Sequence, residues 1–432
     1  MYKKRKRIYA VAMLLVIVAA ILLQSINLNN DENINQQTTM NAEQSATLQD
    51  ALYEDSEAVT EDLPQDEDTA TTEQLVTDES GDGTFVLSQK LLDEDTEQKI
   101  DDIIEGMTLE EKVGQLFFIK DDGRFRSDIL EQYPVGGIIL FDGDFKGKSA
   151  QNLRDYISAF QDNSRYPLLM GVDEEGGTVI RLSKYSTYAD APFQSPRNLY
   201  SSGGFEAIRE DTVLKSELLL SYGINVNFAP VCDISGDSDD FMYSRSISGD
   251  PEVVSEFAAL SVSVMHDEGI GSVLKHFPGY GSNGDTHTDV IRDSRDYDTF
   301  VEQDFKPFQA GIDAGADCVL VNHNIVACMD SDMPASLSYE VHRILRSELG
   351  FNGVIITDDL MMNGVSEYMD AKESAVQAIL AGNDMILSTY YDVQYQAVLD
   401  AVNAGTITEE RLDASIRRIL RWKYSLGIMG VE

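Results

Sequence analysis

Asp285 and His287 stand two residues apart in Gly279-Tyr280-Gly281-Ser282-Asn283-Gly284-Asp285-Thr286-His287. In an extended loop, residues so spaced can point the same way. The carboxylate can then fix the imidazole tautomer and raise its pKa, giving an acid/base dyad. Taken alone, the pair reads more readily as a solvated turn with an incidental histidine. The run that leads into this loop is more demanding, because Ser-Val-Leu-Lys275-His276-Phe-Pro278 sets a lysine and a histidine inside an apolar stretch. Each would be desolvated without compensation unless a functional pocket receives it. Other polar residues end other apolar runs: Asp173 and Glu174, Asn322 and His323, Asp358 and Asp359.

Those runs are short, β-branched and aromatic-rich, and they alternate with helix-period stretches. The spacing predicts strands over Gln115–Ile119, Val135–Phe141, Pro167–Asp173, Ile224–Pro230, Ser272–Pro278, Cys318–His323, Gly353–Asp358 and Met385–Ser388. Helices are expected at Ala150–Asp162, Glu206–Tyr222, Pro251–Glu268, Ser338–Leu349, Ala371–Ala381 and Glu409–Leu426. Near-continuous apolar strands between helices mean a parallel sheet, and eight of them suggest an α/β fold of the closed (β/α)8 TIM-barrel type. An open doubly wound sheet is the alternative. In a barrel the reactive groups sit at strand C-terminal ends, where the polar residues above fall.

Six motifs succeed one another in order: Gly171-Val172-Asp173-Glu174-Glu175-Gly176-Gly177 with Arg181; Asn227-Phe228-Ala229-Pro230-Val231-Cys232-Asp233; Arg245-Ser246 with Gly249-Asp250-Pro251; the Lys275-His276-Phe277-Pro278-Gly279 loop with Asp285-Thr286-His287; Pro334-Ala335-Ser336-Leu337-Ser338; and Gly353-Val354-Ile355-Ile356-Thr357-Asp358-Asp359-Leu360. Through them the chain resembles glycoside hydrolase family 3, in its β-N-acetylglucosaminidase branch, over residues 95–432. The resemblance implies Asp358 as catalytic nucleophile and Asp285–His287 as the loop dyad replacing the usual glutamic acid. It implies that Asp173, Arg181, Arg245, Lys275 and His276 bind the terminal sugar. A carboxylate suits paired hydroxyls, and Lys, Arg and neutral His donate to sugar oxygens while offsetting Asp173 and Asp358. The activity implied is retaining removal of non-reducing terminal β-N-acetylglucosamine, foremost from peptidoglycan fragments, with no cofactor or metal. Chitooligosaccharides or other GlcNAc glycans are alternative substrates, and phosphate is an alternative acceptor to water.

Several residues stay outside that set. Asp233 and Asp359 are expected to hold backbone or Arg245, and His323 to line the pocket floor or sit in the core. His266 and His342 are expected at the surface or in packing. Tyr280 replaces the His or Asp of many relatives and would stack on a sugar or pack the loop. Because the sequence ends soon after Arg417–Leu426, the single-domain type with a histidine acid is expected rather than a two-domain β-glucosidase.

Composition narrows the rest. The 432 residues hold 75 Asp and Glu against 33 Lys and Arg, a net charge of −42, which repels nucleic acid. Cys232, Cys318 and Cys328 make no metal-ligand spacing and leave an odd count, so buried free thiols are expected. Lys3, Lys4, Arg5, Lys6 and Arg7 precede an apolar run from Ile8 to Leu23. Residues 1–28 are therefore expected to be a signal-anchor or a cleaved signal peptide, with the remainder of the chain on the extracellular face of a bacterial cell membrane or secreted. Residues 29–92 are acidic and aperiodic, as a disordered linker would be, and the resemblance makes residues 93–432 the expected catalytic domain. A monomer is the default. Two further readings compete: a metal-dependent hydrolase using His276, His287, His323 and Asp358, disfavoured by the lack of His-x-His on the first strand, and a sugar-binding module, disfavoured by the retained Asp358 and dyad.

Overall fold

The computed structural model describes residues 92–120, 127–286 and 289–429. The expected signal or anchor, the acidic linker up to residue 91, and His287 lie outside the described residues. Among those described, no helix is long and apolar enough to cross a membrane.

The first described helix starts at a side-chain cap. The Asp93 side chain accepts the Thr96 N–H at 2.8 Å and starts helix α1 (Glu94–Gly106). Thr108 and Glu111 form a reciprocal capping box at the start of α2 (Leu109–Gln115). Eight strands make the sheet: β1 (Phe117–Lys120), β2 (Gly137–Leu140), β3 (Leu169–Val172), β4 (Val226–Asn227), β5 (Gly271–Phe277), β6 (Cys318–Val321), β7 (Val354–Thr357) and β8 (Ile386–Ser388). They pair in parallel in sequential order, with β8 returning to β1 through Phe117 opposite Ile386. A parallel bridge between Ile356 and Met385 joins β7 to β8 and completes the ring. Sequential order and closure make this a barrel and dismiss the doubly wound alternative.

Nearly every strand residue is buried, as expected of strands covered by side chains within and helices without. Phe118 and Phe228 fill the interior edge to face, with ring centroids 5.2 Å apart. Their bulk is matched by glycine on the neighbouring strands. A Cβ at Gly137 would lie 2.8 Å from the Phe118 ring, and one at Gly171 would lie 2.6 Å from the Phe228 ring.

Several boundaries differ from the expectation. Gln115 belongs to α2 rather than to β1, its amide donating to the Pro134 carbonyl at 2.9 Å. The fourth strand is only two residues long, because asparagine side chains take over its edge contacts. Asn225 accepts the Met170 N–H at 2.7 Å, and Asn227 accepts the Glu174 N–H at 3.0 Å. The stretch expected as helix over Ser338–Leu349 is α-helical at Tyr339–Arg343 and then widens into a π turn at Ile344–Glu348.

The cysteine expectation needs one correction. Cys232 and Cys318 are buried, whereas Cys328 is exposed, just past the short strand Ile325–Val326 where the chain leaves the core.

Candidate active site

The loop after β3 carries three consecutive acids with different tasks. Glu174 is fully buried and accepts the N–H groups of Arg181 at 2.9 Å, Leu182 at 2.8 Å and Ser183 at 3.3 Å, as well as the Ser183 hydroxyl. It folds the chain back after Gly176-Gly177 and so delivers Arg181 to the barrel mouth. Gly177 has φ +66° with a Cβ position 2.6 Å from that of Ser195, so only glycine fits this turn. Asp173 and Glu175 face the cations. Lys275 Nζ lies 2.7 Å from Asp173 Oδ1 and 2.7 Å from Glu175 Oε1. Arg245 grips Glu175 with Nε at 3.0 Å and Nη2 at 2.7 Å, and Arg181 Nη2 lies 3.7 Å from Asp173.

His276 continues the chain of contacts. Arg245 Nη2 is 3.1 Å from His276 Nε2, and a guanidinium has no lone pair, so Nε2 accepts. Nδ1 then carries the hydrogen and donates to Asp233 at 2.7 Å. Asp233 also accepts the backbone N–H of His276 at 3.1 Å and of Tyr280 at 2.8 Å. Both nitrogens of His276 therefore have protein partners, and the ring acts as a spacer between Asp233 and Arg245. The Lys275–His276 peptide is cis, as are Ala229–Pro230 and Phe277–Pro278.

Burial opposes ionisation of Glu175, but the charges and hydrogen bonds of Arg245 and Lys275 outweigh it and hold this carboxyl well below the usual range. Burial likewise works against the Arg245 cation, and Glu175 first, then Asp233 and Asp173, more than restore it. Glu175 is the site residue that the sequence reading missed. The available signal was an acid on a buried loop whose neighbours already included one acid for the ligand, set against more cations than Asp173 alone can balance.

Asp358 follows β7 at the same end of the barrel, its N–H donating to the Val321 carbonyl at 3.0 Å. The Asp359 N–H donates to Asp358 Oδ1 at 2.8 Å and fixes the carboxylate plane. Asp359 is itself held by the Thr389 hydroxyl at 2.6 Å and the Met361 N–H at 3.0 Å. His323 is fully buried, with Nδ1 2.7 Å from the Ser336 hydroxyl and Nε2 3.1 Å from the Asp359 carbonyl, so it buttresses the segment that bears Asp358. Asp285 is half-buried at the loop's end, beside fully buried Thr286.

Tyr280 is 1% exposed, which excludes stacking on a sugar. It packs the loop against Phe241, Met242 and Val231. His266 is exposed at the end of its helix, while His342 is buried and bonds the Ser338 carbonyl at 2.7 Å. The metal-ligand alternative finds His276 and His323 committed to different partners, and among the described residues no group of three His, Cys, Asp or Glu is arranged to hold a metal.

The model of the glycosyl hydrolase family 3 N-terminal domain matches residues 108–422. The chain belongs to this family. It is 34% identical over 297 residues to a β-hexosaminidase of Xanthomonas campestris, covering 67% of this chain and 88% of that one. It is 31% identical over 334 residues to β-hexosaminidase A of Pseudoalteromonas piscicida, and there it spans only 55% of the relative's length. Among solved structures, the family 3 β-N-acetylglucosaminidase of a Paenibacillus species superposes with a TM-score of 0.70 at 31% identity, over 76% of this chain and 64% of that one.

Proposed function

We propose that the protein is a retaining β-N-acetylhexosaminidase that releases non-reducing terminal β-N-acetylglucosamine. The observation that carries this reading is the linked clamp Asp173–Lys275–Glu175–Arg245 at the barrel end where Asp358 follows its strand, in a family 3 chain whose relatives are named β-hexosaminidases. Asp173 would accept from sugar hydroxyls, and Lys275, Arg181 and Arg245 would donate to sugar oxygens. Asp358 then attacks the anomeric carbon while His287, oriented by Asp285, gives its proton to the departing oxygen. The glycosyl–aspartate ester forms as the glycosidic C–O bond breaks. In the second step His287 takes a proton from water, the new hydroxide oxygen bonds to the anomeric carbon, and the Asp358 carboxylate leaves. Two inversions at one carbon retain its configuration.

The basic residues Lys3 to Arg7 ahead of an apolar run support placement outside the membrane, by a signal-anchor or after secretion. Peptidoglycan fragments are the substrate that such a position favours. The test compares the full chain on aryl β-N-acetylglucosaminide and aryl β-glucoside, with Asp358→Asn beside it. Preference for the N-acetyl sugar, and a loss of about a thousandfold or more in the variant, are expected. A wild type faster on the plain glucoside, or an unimpaired variant, would refute the reading. A fluorinated sugar trap should leave its mass on the peptide containing Asp358, and sugar 1-phosphate formed in phosphate buffer would assign phosphate as the acceptor.

A further inference from the structure

Thr286 lies between the two residues of the acid/base dyad and is held on both sides. Its hydroxyl is 2.7 Å from the Tyr280 phenol oxygen, and its carbonyl accepts the Gly364 N–H at 3.0 Å. Gly364 lies just beyond Asp358 on the same βα segment, and the approach is close enough that a Cβ on it would stand 3.0 Å from His323 Cβ and 3.3 Å from Thr286 Cβ. Thr286 thus ties the loop to the segment that carries the nucleophile.

Tyr280 is fixed from its own side. Its N–H donates to Asp233, the acid that also holds His276, and its ring meets those of His276 and Phe241 edge on, at 5.2 and 5.7 Å. Its carbonyl accepts the Asn283 amide at 2.8 Å, and that amide also donates to Asp293 at 2.8 Å. Arg295 closes the base of the loop by bonding Asp293, Asp304 and the Gly279 carbonyl. Burial, with the nearby Asp358 charge adding to it, pushes the phenol pKa up, so the hydroxyl stays neutral and serves as a hydrogen-bonding group only.

We propose that Tyr280 is a positioning residue for acid/base catalysis, its hydroxyl latching Thr286 and so holding the adjoining Asp285, the carboxylate that orients the acid. This deepens the function proposed above and rests on it.

The test uses two leaving groups. A good one, such as 2,4-dinitrophenol, departs without protonation, whereas a sugar does not, so misplacement of the acid slows only the second substrate. Tyr280→Phe keeps the ring packing and removes one hydrogen bond, leaving the buried Thr286 hydroxyl short of a partner. On the full chain, kcat/KM for chitobiose should fall about five- to tenfold, with less than about a twofold change for 2,4-dinitrophenyl β-N-acetylglucosaminide. Thr286→Val should show the same split, and Thr286→Ser, which keeps the oxygen, should recover most of the loss. Equal losses on both substrates, or no loss on either, overturn the latch. His287→Ala, measured alongside, separates the two readings. A split there without one in Tyr280→Phe and Thr286→Val overturns the latch alone, and the lack of a split in His287→Ala overturns the acid assignment and the latch with it.

Discussion

Replacing Glu175 with glutamine keeps the shape of the clamp and removes the charge that two cations share. The Glu175 side chain is 2% exposed, that of Lys275 3% and that of Arg245 14%, so water cannot take over its role. Removing one partner from a buried ionic arrangement costs about 3–5 kcal/mol. Lys275 keeps Asp173 at 2.7 Å, which places the expected loss near the lower end, about 3 kcal/mol. Unfolding entropy is about 2.1 cal/mol/K per residue, or about 0.7 kcal/mol/K for a barrel of about 340 residues, so the melting temperature should drop by about 4 °C. Because folding lowers the pKa of Glu175, its contribution is complete above the ordinary glutamate value of 4.5 and is lost as pH falls toward the depressed folded value. Calorimetry of both proteins from pH 7 downward should therefore show a gap that narrows below pH 4.5. Equal melting temperatures at pH 7, or a gap that widens with acid, would refute the assignment of Glu175 as counter-charge to the clamp. Turnover should fall as well, since Arg245 and Lys275 would lose their common anchor.

His342 has its pKa lowered to about 4 by burial, so the folded protein keeps it neutral where the unfolded chain would protonate it. The wild type should lose stability relative to His342→Asn as pH falls from about 6.5 to about 4, by up to about 3 kcal/mol, which urea unfolding at several pH values would measure. Gly279 has φ +118° and a Cβ position 2.2 Å from Asp304 Oδ1, a carboxylate held by Arg295 at 2.8 Å. Gly279→Ala should cost about 2 kcal/mol or more of stability and lower kcat/KM at least about tenfold, because the loop must move. Full activity in that variant would show that the loop base tolerates displacement.

The barrel was legible because each strand is an apolar run that must be covered on both faces, and all eight fall inside or within a residue or two of the expected ranges. Polar residues at strand ends were legible for the same reason: in a continuous apolar pattern, Lys275, His276 or Asp358 stands out. What could not be read was who pairs with whom. Glu175 and Arg245 are seventy positions apart, and only the ring brings their charges together. Asp233 was expected to hold backbone or Arg245. It does hold backbone, but its ring partner is His276, a choice set by the tautomer that Arg245 imposes. Tyr280 was left between stacking on a sugar and packing the loop, and that depends on depth, which local sequence does not encode. His342 lies at a position that a helical wheel leaves ambiguous once the helix widens into a π turn.

The way the ring shuts has a consequence for synthesis. β1 finds its partner in β8, and α1 is gripped by the last helix, Glu409–Ser425, through Arg417 to Asp101 and Arg421 to Glu97. Until those late residues leave the ribosome, the first strand has one raw edge and the growing sheet another, and neither can be satisfied locally. The nascent chain must therefore wait as an incomplete arc, dependent on being kept from other unpaired strands, until its final helix emerges to seal it.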